Sequence, residues 1–76
     1  MKELLEYIIN SLVDSPSEMV INQVESEKTI IFELKVAKDD VGKIIGKQGR
    51  IIKSIRILLN AAAIKYGKRA VLEVLN

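Results

Sequence analysis

The stretch from Val41 to Arg56 most constrains the fold, because two apolar periodic runs are joined there by a very short link with glycine at both ends. The link reads Gly46-Lys47-Gln48-Gly49. Terminal glycines permit a tight turn that larger residues would block, and they let another backbone come close. The run after the link is predicted to begin a helix at Arg50, so its unpaired N–H groups and positive dipole end face the link. Such a place favours a phosphate group.

The basic side chains are concentrated in one part of the chain. Residues 41–72 contain no acid and eight basic residues, which are Lys43, Lys47, Arg50, Lys53, Arg56, Lys65, Lys68 and Arg69. The rest of the chain holds the other four basic residues and all ten acids. This asymmetry predicts a basic face for a polyanion and an acidic face that is solvated or turned toward another partner. The alternative is that helix surfaces are often rich in Lys and Arg.

The composition limits the chemistry. With 76 residues, the chain is predicted to form a single domain over residues 1–76. It has no Cys for a disulfide and no His, the usual metal ligand and general base. We therefore expect no catalysis, no metal, no cofactor and no small-molecule substrate. The absence of a signal peptide and of a long apolar run predicts a cytoplasmic location without a membrane contact.

Periodicity predicts the first half of the fold. Lys2 to about Asp14 is predicted to be an amphipathic helix that ends before Pro16. Its expected buried stripe is Leu4, Leu5, Ile8, Ile9, Leu12 and Val13. Met19–Val24 and Thr29–Ala37 are predicted strands, and their short link indicates an antiparallel pair. Phe32 shares its parity with aliphatic residues, which indicates core packing rather than base stacking.

The second half is predicted to contain two helices and a strand. The short helix is Asp40–Ile45, with Asp39 as its N-cap. The long helix is Arg50 to about Tyr66, ended by a left-handed Gly67, and the last strand is Arg69–Leu75. The expected apolar face of the long helix is Ile51, Ile55, Leu58, Leu59, Ala62 and Tyr66. The order is therefore helix, strand, strand, helix, helix, strand.

Two features of these helices leave alternatives open. Gly42 is a poor helix former at an internal helix position. It is explained either by close approach of a ligand or by a tight contact with another element. Ile57 and Ile64 lie seven residues apart on the predicted outer face, with Asn60 and Ala61 beside them. This pattern indicates a seam for another helix, and hence a dimer, unless the two residues pack under the chain termini.

The central stretch resembles a known family. Ile44-Ile45-Gly46-Lys47-Gln48-Gly49-Arg50-Ile51-Ile52 is similar to the signature of the KH domain, whose Gly-x-x-Gly loop clamps single-stranded nucleic acid. Over nearly its whole length the chain resembles the small, single-domain bacterial KH proteins of the KhpA family. The resemblance implies an α+β, type II KH-like fold of order αββααβ. In that fold three helices cover one face of a three-stranded sheet.

The resemblance also implies a function. Members of the family are RNA-binding, chaperone-like factors associated with cell shape and cell wall organisation, and with a partner KH protein of the Jag family. Carried over to this sequence, the implied RNA-binding residues are Gly42, Lys43, Ile45, Gly46, Lys47, Gln48, Gly49, Arg50 and Lys53. Val41, Ile44 or Ile45 would line a groove beside the loop. Lys35 to Ala37 would read the base edges there.

Three other functions are considered. A nucleotide-binding P-loop is excluded, because the glycine spacing is wrong and Gln48 stands where Ser or Thr would hold magnesium. A KH scaffold used only for protein contact would not need basic residues in and after the loop. A single-stranded DNA binder stays open, because nothing in the sequence locates a contact to the 2′-hydroxyl group.

Overall fold

The order of elements agrees with the sequence prediction. The computed structural model describes residues 1–76. Its helices are α1 (Lys2–Asn10), α2 (Val41–Ile45) and α3 (Arg50–Ile64), and its strands are β1 (Val20–Glu25), β2 (Thr29–Lys35) and β3 (Arg69–Val74). Single 3-10 turns occupy Pro16–Glu18, Lys38–Asp40 and Lys47–Gly49. No helix is both long and apolar enough to span a bilayer.

The three strands form an open mixed sheet with β2 in the middle. β1 pairs with β2 antiparallel, as the short link predicts, and Ile21 lies opposite Leu34. β3 pairs with β2 in parallel, and Leu34 lies opposite Val74. The parallel pairing follows from the connection, because α2 and α3 carry the chain from the end of β2 back to the start of β3. β1 and β3 are thus the two edge strands.

One face of the sheet and the inner faces of the helices form a single core. Alternate residues of β2 are buried, and Phe32 is completely enclosed, which confirms its predicted core role. The core cluster contains Leu5, Ile9, Val13, Ile21, Ile30, Phe32, Leu34, Val36, Ile44, Ile52, Ile55, Leu59, Ala63, Ala70 and Leu72. All three helices contribute to it. The predicted α+β, type II KH-like arrangement is therefore confirmed.

The first helix is shorter than predicted. α1 ends at Asn10 rather than near Asp14, and the chain continues in a turn in which the Leu12 N–H donates to Ile9 O at 2.9 Å. The turn still brings Val13 into the core. Leu4 was expected in the buried stripe but is 40% exposed. It lies 100° around the helix from Leu5 and so falls at the border of the stripe.

The buried face of α3 differs from the predicted one. The residues that face the core are Ile52, Ile55, Leu59 and Ala63, whereas Leu58 and Tyr66 are mostly exposed. Isoleucine, leucine and alanine occupy so much of this helix that two overlapping stripes fit its periodicity. Packing against β3 selects the stripe rotated toward Ile52. The helix ends at Ile64, two residues early, while Gly67 has the predicted left-handed φ of 67°.

Candidate nucleic-acid interface

The Gly46–Gly49 loop is built on backbone conformations that favour glycine. Gly46 has φ 77° and ψ 175°, and Gly49 is left-handed with φ 72° and ψ 17°. Gln48 also has a positive φ, of 57°, and its side chain is exposed. A single turn is closed by the Gly49 N–H, which donates to Gly46 O at 3.1 Å. The chain thus reverses between α2 and α3 within four residues, and the two middle side chains point into solvent.

Gly46 is also required by close packing. A Cβ atom at this position would lie 2.5 Å from Ile51 Cγ1 and 2.8 Å from Ile51 Cβ. Real Cβ atoms do not approach other carbons so closely. The first turn of α3 therefore packs directly on the loop backbone, which fixes the loop relative to the helix.

The N-terminus of α3 faces the loop without a side-chain cap. Its N-cap residue is Gly49, so no side chain accepts hydrogen bonds from the first N–H groups of the helix. These groups and the positive end of the helix dipole are available to an anion. No acid lies in the first turn to compete with one.

Three basic side chains beside the loop are free to bind phosphate. Lys47, Arg50 and Lys53 are exposed, and none has a carboxylate within 4 Å. Arg50 makes only a long contact, of 3.4 Å, to Gln48 Oε1. The structure therefore brings together the basic residues that the sequence analysis assigned to the loop and to the start of the long helix.

Lys43, also a predicted RNA-binding residue, is differently placed. Its Nζ forms an ion pair with Asp14 Oδ2 and lies 3.4 Å from Asp40 Oδ1. The hydrogen bond with Asp14 is the main cause that raises the pKa of Lys43. Lys43 is thus held between two carboxylates one turn before the loop.

Asp40 has a role that the sequence analysis missed. The predicted N-cap was Asp39, which is exposed, whereas Asp40 is 1% exposed. Its carboxylate accepts hydrogen bonds from the backbone N–H groups of Asp14, at 3.1 Å, and Ser15, at 3.0 Å. These bonds, with that of Asp14 the largest cause, hold the pKa of Asp40 below its usual range. Asp40 therefore fastens the turn after α1 to the start of α2.

A groove lies between α3, from Arg56 onward, and the outer edge of β3. Lys53, Arg56 and Asn60 are spaced to lie on one side of α3. Arg56 Nη2 donates to Leu72 O at 3.1 Å, and Asn60 Oδ1 accepts from the Ala70 N–H at 3.0 Å. A surface cavity of about 330 Å³ lies between the two elements, lined by Arg56, Asn60, Arg69, Ala70, Val71 and Leu72.

The lining of this groove does not include Lys35 to Ala37, which were expected to read base edges. β2 ends at Lys35 and is the central strand, so both of its edges are already paired. In β3, the Arg69 N–H donates to Lys28 O, and the Leu75 N–H beyond the strand donates to Leu34 O. The alternate residues Ala70 and Leu72 therefore direct their backbone groups away from β2 and toward α3. The strand edge beside the helix belongs to β3.

Gly42 is explained by the structure only in part. A Cβ atom there would meet no other atom within 4 Å, and the residue is exposed. A tight contact with another element of the chain is therefore not the reason for glycine at this position. Close approach of a ligand at Gly42 stays a prediction.

The outer face of α3 carries the apolar pair noted in the sequence. Ile57 is 68% exposed and Ile64 is 72% exposed, with the exposed Ala61 between them. The termini do not cover them. Asn60, predicted to share this surface, is partly buried because its side chain turns toward β3.

The fold and the site together define the class of the protein. A mixed three-stranded sheet is covered on one face by three helices, and a Gly-x-x-Gly loop joins two of those helices beside a basic surface. This combination is a KH domain of type II order.

Comparison with known proteins narrows the class to a family. The sequence profile described as "KhpA/KhpB, KH domain" matches residues 2–74. The RNA-binding protein KhpA of Clostridium acetobutylicum is 56% identical over 75 residues, which cover 99% of this chain and 100% of the relative. KhpA of Clostridium perfringens is 55% identical with the same coverage. KhpA of Borreliella burgdorferi is 51% identical over 97% of this chain and 90% of the relative. The chain belongs to the KhpA/KhpB family of KH-domain proteins.

Proposed function

We propose that the protein binds single-stranded RNA through the Gly46–Gly49 loop and performs no catalysis. One observation carries the proposal: the loop backbone lies at the uncapped N-terminus of α3, surrounded by Lys47, Arg50 and Lys53, which have no acidic partners. The relatives named RNA-binding protein KhpA support RNA as the ligand. As RNA is the proposed ligand, we place the activity in the cytoplasm.

The proposed RNA path runs from the loop along α3. Lys47 and Arg50 contact phosphates at the loop, and Lys53 continues the basic surface toward Arg56. The groove between α3 and the edge of β3 accepts the unstacked bases. Ile45, partly buried beside the core, provides apolar surface on the α2 side. Only Tyr7, Phe32 and Tyr66 are aromatic, and Phe32 is buried, so base stacking contributes little. We therefore expect weak affinity and loose sequence preference.

The test is an NMR titration of the labelled protein with a short mixed-sequence RNA beside its DNA equivalent. We expect shifts centred on residues 46–53 that are larger with RNA and absent in Lys47→Asp/Gln48→Asp. That variant places negative charge where phosphates bind, in an exposed loop whose conformation does not depend on these side chains. Lys28→Asp, in the turn between β1 and β2, controls for two of the three units by which the double variant lowers the net charge. No shifts at millimolar RNA would refute the proposal, and equal shifts with DNA would refute the preference for RNA.

Salt dependence provides a second test of the same mechanism. If about three phosphates are neutralised, the slope of log affinity against log salt should be roughly −2 for a single strand. Fluorescence anisotropy with labelled RNA, measured at several salt concentrations from about 50 to 200 mM, gives this slope. An affinity that does not change with salt would contradict binding through the loop cations.

We further propose that Ile57, Ala61 and Ile64 form a contact with a second KH domain, with Asn60 at its border. This second KH domain belongs either to another copy of this chain or to the Jag-family partner that the resemblance implies. Two exposed isoleucines at heptad spacing support a helix seam. Two linked domains would raise the avidity for one RNA strand. A chaperone-like role in cell shape and cell wall organisation stays an implication of the resemblance.

Analytical ultracentrifugation tests this contact. Ile57→Lys/Ile64→Lys should lower the sedimentation coefficient of a homodimer to that of a monomer. An unchanged coefficient would exclude a homodimer through this face. Sedimentation of a mixture with the Jag-family protein then tests the heterodimer, because the same variant should remove the complex peak.

A further inference from the structure

A cluster of three charged residues lies on the α2 side of the loop. The Asp14–Lys43–Asp40 cluster joins the turn after α1 to α2 through the two ion pairs of Lys43. It is one of two places where a basic residue of the 41–72 segment meets an acid, the other being the pair of Lys68 with Glu25. The second pair lies in the hairpin region, away from the loop.

Asp14 is held at Lys43 by the backbone. The Asp14 and Ser15 N–H groups are fixed by the buried carboxylate of Asp40, whereas the Asp14 side chain is 77% exposed. Because its backbone is anchored, the Asp14 carboxylate loses little conformational freedom when it meets Lys43. The pair is therefore more persistent than an exposed ion pair between two mobile segments.

The charge of the cluster opposes a second anion. One cation stands between two carboxylates, so the cluster carries a net negative charge. A phosphate that approached Lys43 would have to displace Asp14, and it would still lie near Asp40. In the loop and at the start of α3, Lys47, Arg50 and Lys53 offer uncompensated positive charge. The phosphates of single-stranded RNA are therefore attracted to the α3 side and not to the α2 side.

We propose that Asp14 excludes RNA phosphates from Lys43 and thereby directs the bound strand along α3. The Asp14 carboxylate binds Lys43 where a phosphate would otherwise bind. Asp14 thereby helps to determine the path of the RNA strand. This inference rests on the proposed RNA binding. It changes the role of Lys43, because that residue contacts RNA only when Asp14 is removed.

The test measures affinity of the full chain for a labelled mixed-sequence RNA by fluorescence anisotropy in four variants. Asp14→Asn should bind about fivefold more tightly at about 0.1 M salt, with a salt slope steeper by about 0.7, as one further phosphate is neutralised. Lys43→Gln should bind within about twofold of the parent, whereas Lys47→Gln should bind about fivefold more weakly. The double variant Asp14→Asn/Lys43→Gln should lose the gain of Asp14→Asn.

A matched control separates the effect of the Asp14–Lys43 ion pair from the effect of net charge on RNA affinity. Asp39→Asn removes the same charge from an exposed residue near α2 that has no ion pair. It should change affinity by less than about twofold. In NMR titrations, shifts should extend to residues 41–43 in Asp14→Asn alone. Asp14→Asn keeps the backbone N–H groups that Asp40 binds, and a thermal melt verifies its fold.

The outcomes distinguish this inference from the proposed function. If Asp39→Asn gains as much as Asp14→Asn, or if Lys43→Gln loses as much as Lys47→Gln, the inference is overturned while RNA binding stands. If the parent protein binds RNA with no dependence on the loop, both are overturned.

Discussion

Gly46→Ala should destabilise the domain more than any other glycine substitution in the loop, and the structure gives the size of the effect. Gly46 has φ 77° and ψ 175°, a region that is essentially limited to glycine, and a side chain there costs about 1–3 kcal/mol. The new Cβ would also overlap Ile51, which packs against the core, and relieving such overpacking costs about 1–3 kcal/mol. We expect a loss of about 2–6 kcal/mol in the free energy of unfolding.

This loss is large for a domain of 76 residues, whose whole free energy of unfolding is about 4–11 kcal/mol at the usual value per residue. A loss in the middle of this range, about 4 kcal/mol, should lower the melting temperature by about 16–32 °C, because 1 kcal/mol corresponds to about 4–8 °C in domains of this size. Urea unfolding followed by far-UV circular dichroism measures the change directly.

Two other glycines serve as controls. Gly49→Ala introduces left-handed strain, but the nearest atom to its Cβ is Ile52 Cγ2 at an ordinary 3.9 Å. Gly67→Ala has the same strain with no neighbour within 4 Å. Each should lose about 1–2 kcal/mol. If Gly46→Ala proved no less stable than Gly67→Ala, the argument from close packing would be wrong.

Two further predictions concern Gly42 in α2 and the buried Asp40 just before it. Gly42→Ala should raise the free energy of unfolding by about 0.5–1 kcal/mol in urea titrations, because its Cβ meets nothing and alanine is the better helix former. A lower free energy of unfolding would contradict the open space at this position. Asp40 has a folded-state pKa below its ordinary value of 3.8, so its stabilising contribution is present above that value and is lost as pH falls through the folded pKa. Urea midpoints measured from pH 7 down to acid should therefore fall for the parent, while Asp40→Asn starts lower and shows a smaller fall; parallel curves would contradict the role of Asp40.

Much of the fold could be predicted because local signals agreed. The alternation of β2, the left-handed Gly67 and the short antiparallel link each point to one structure. The buried face of α3 could not be predicted, because Ile51 and Ile52 are equally apolar and only contact with β3 chooses between them. The end of α1 depended on a tertiary contact, as Val13 reaches the core from a turn.

In the candidate site, too, local sequence signals could be predicted and tertiary contacts could not. Spacing and charge were enough to predict the loop glycines, Lys47, Arg50 and Lys53, because all of them lie in one short segment of the sequence. The partners of Lys43 and Asp40 lie more than twenty residues away along the chain, and no local pattern indicates them. Asn60 was assigned to an outer surface by periodicity, whereas its side-chain bond to Ala70 depends on where β3 packs.

The side chains of Arg56 and Asn60 also limit how the sheet can grow. They occupy the Leu72 carbonyl and the Ala70 N–H, two backbone groups of β3 that an added strand would need, so strand addition at this edge is disfavoured. The other edge of the sheet belongs to β1. A sheet with one open edge can pair with one other copy but cannot extend in both directions. The bonds of Arg56 and Asn60 therefore act against assembly of a fibre through strand pairing.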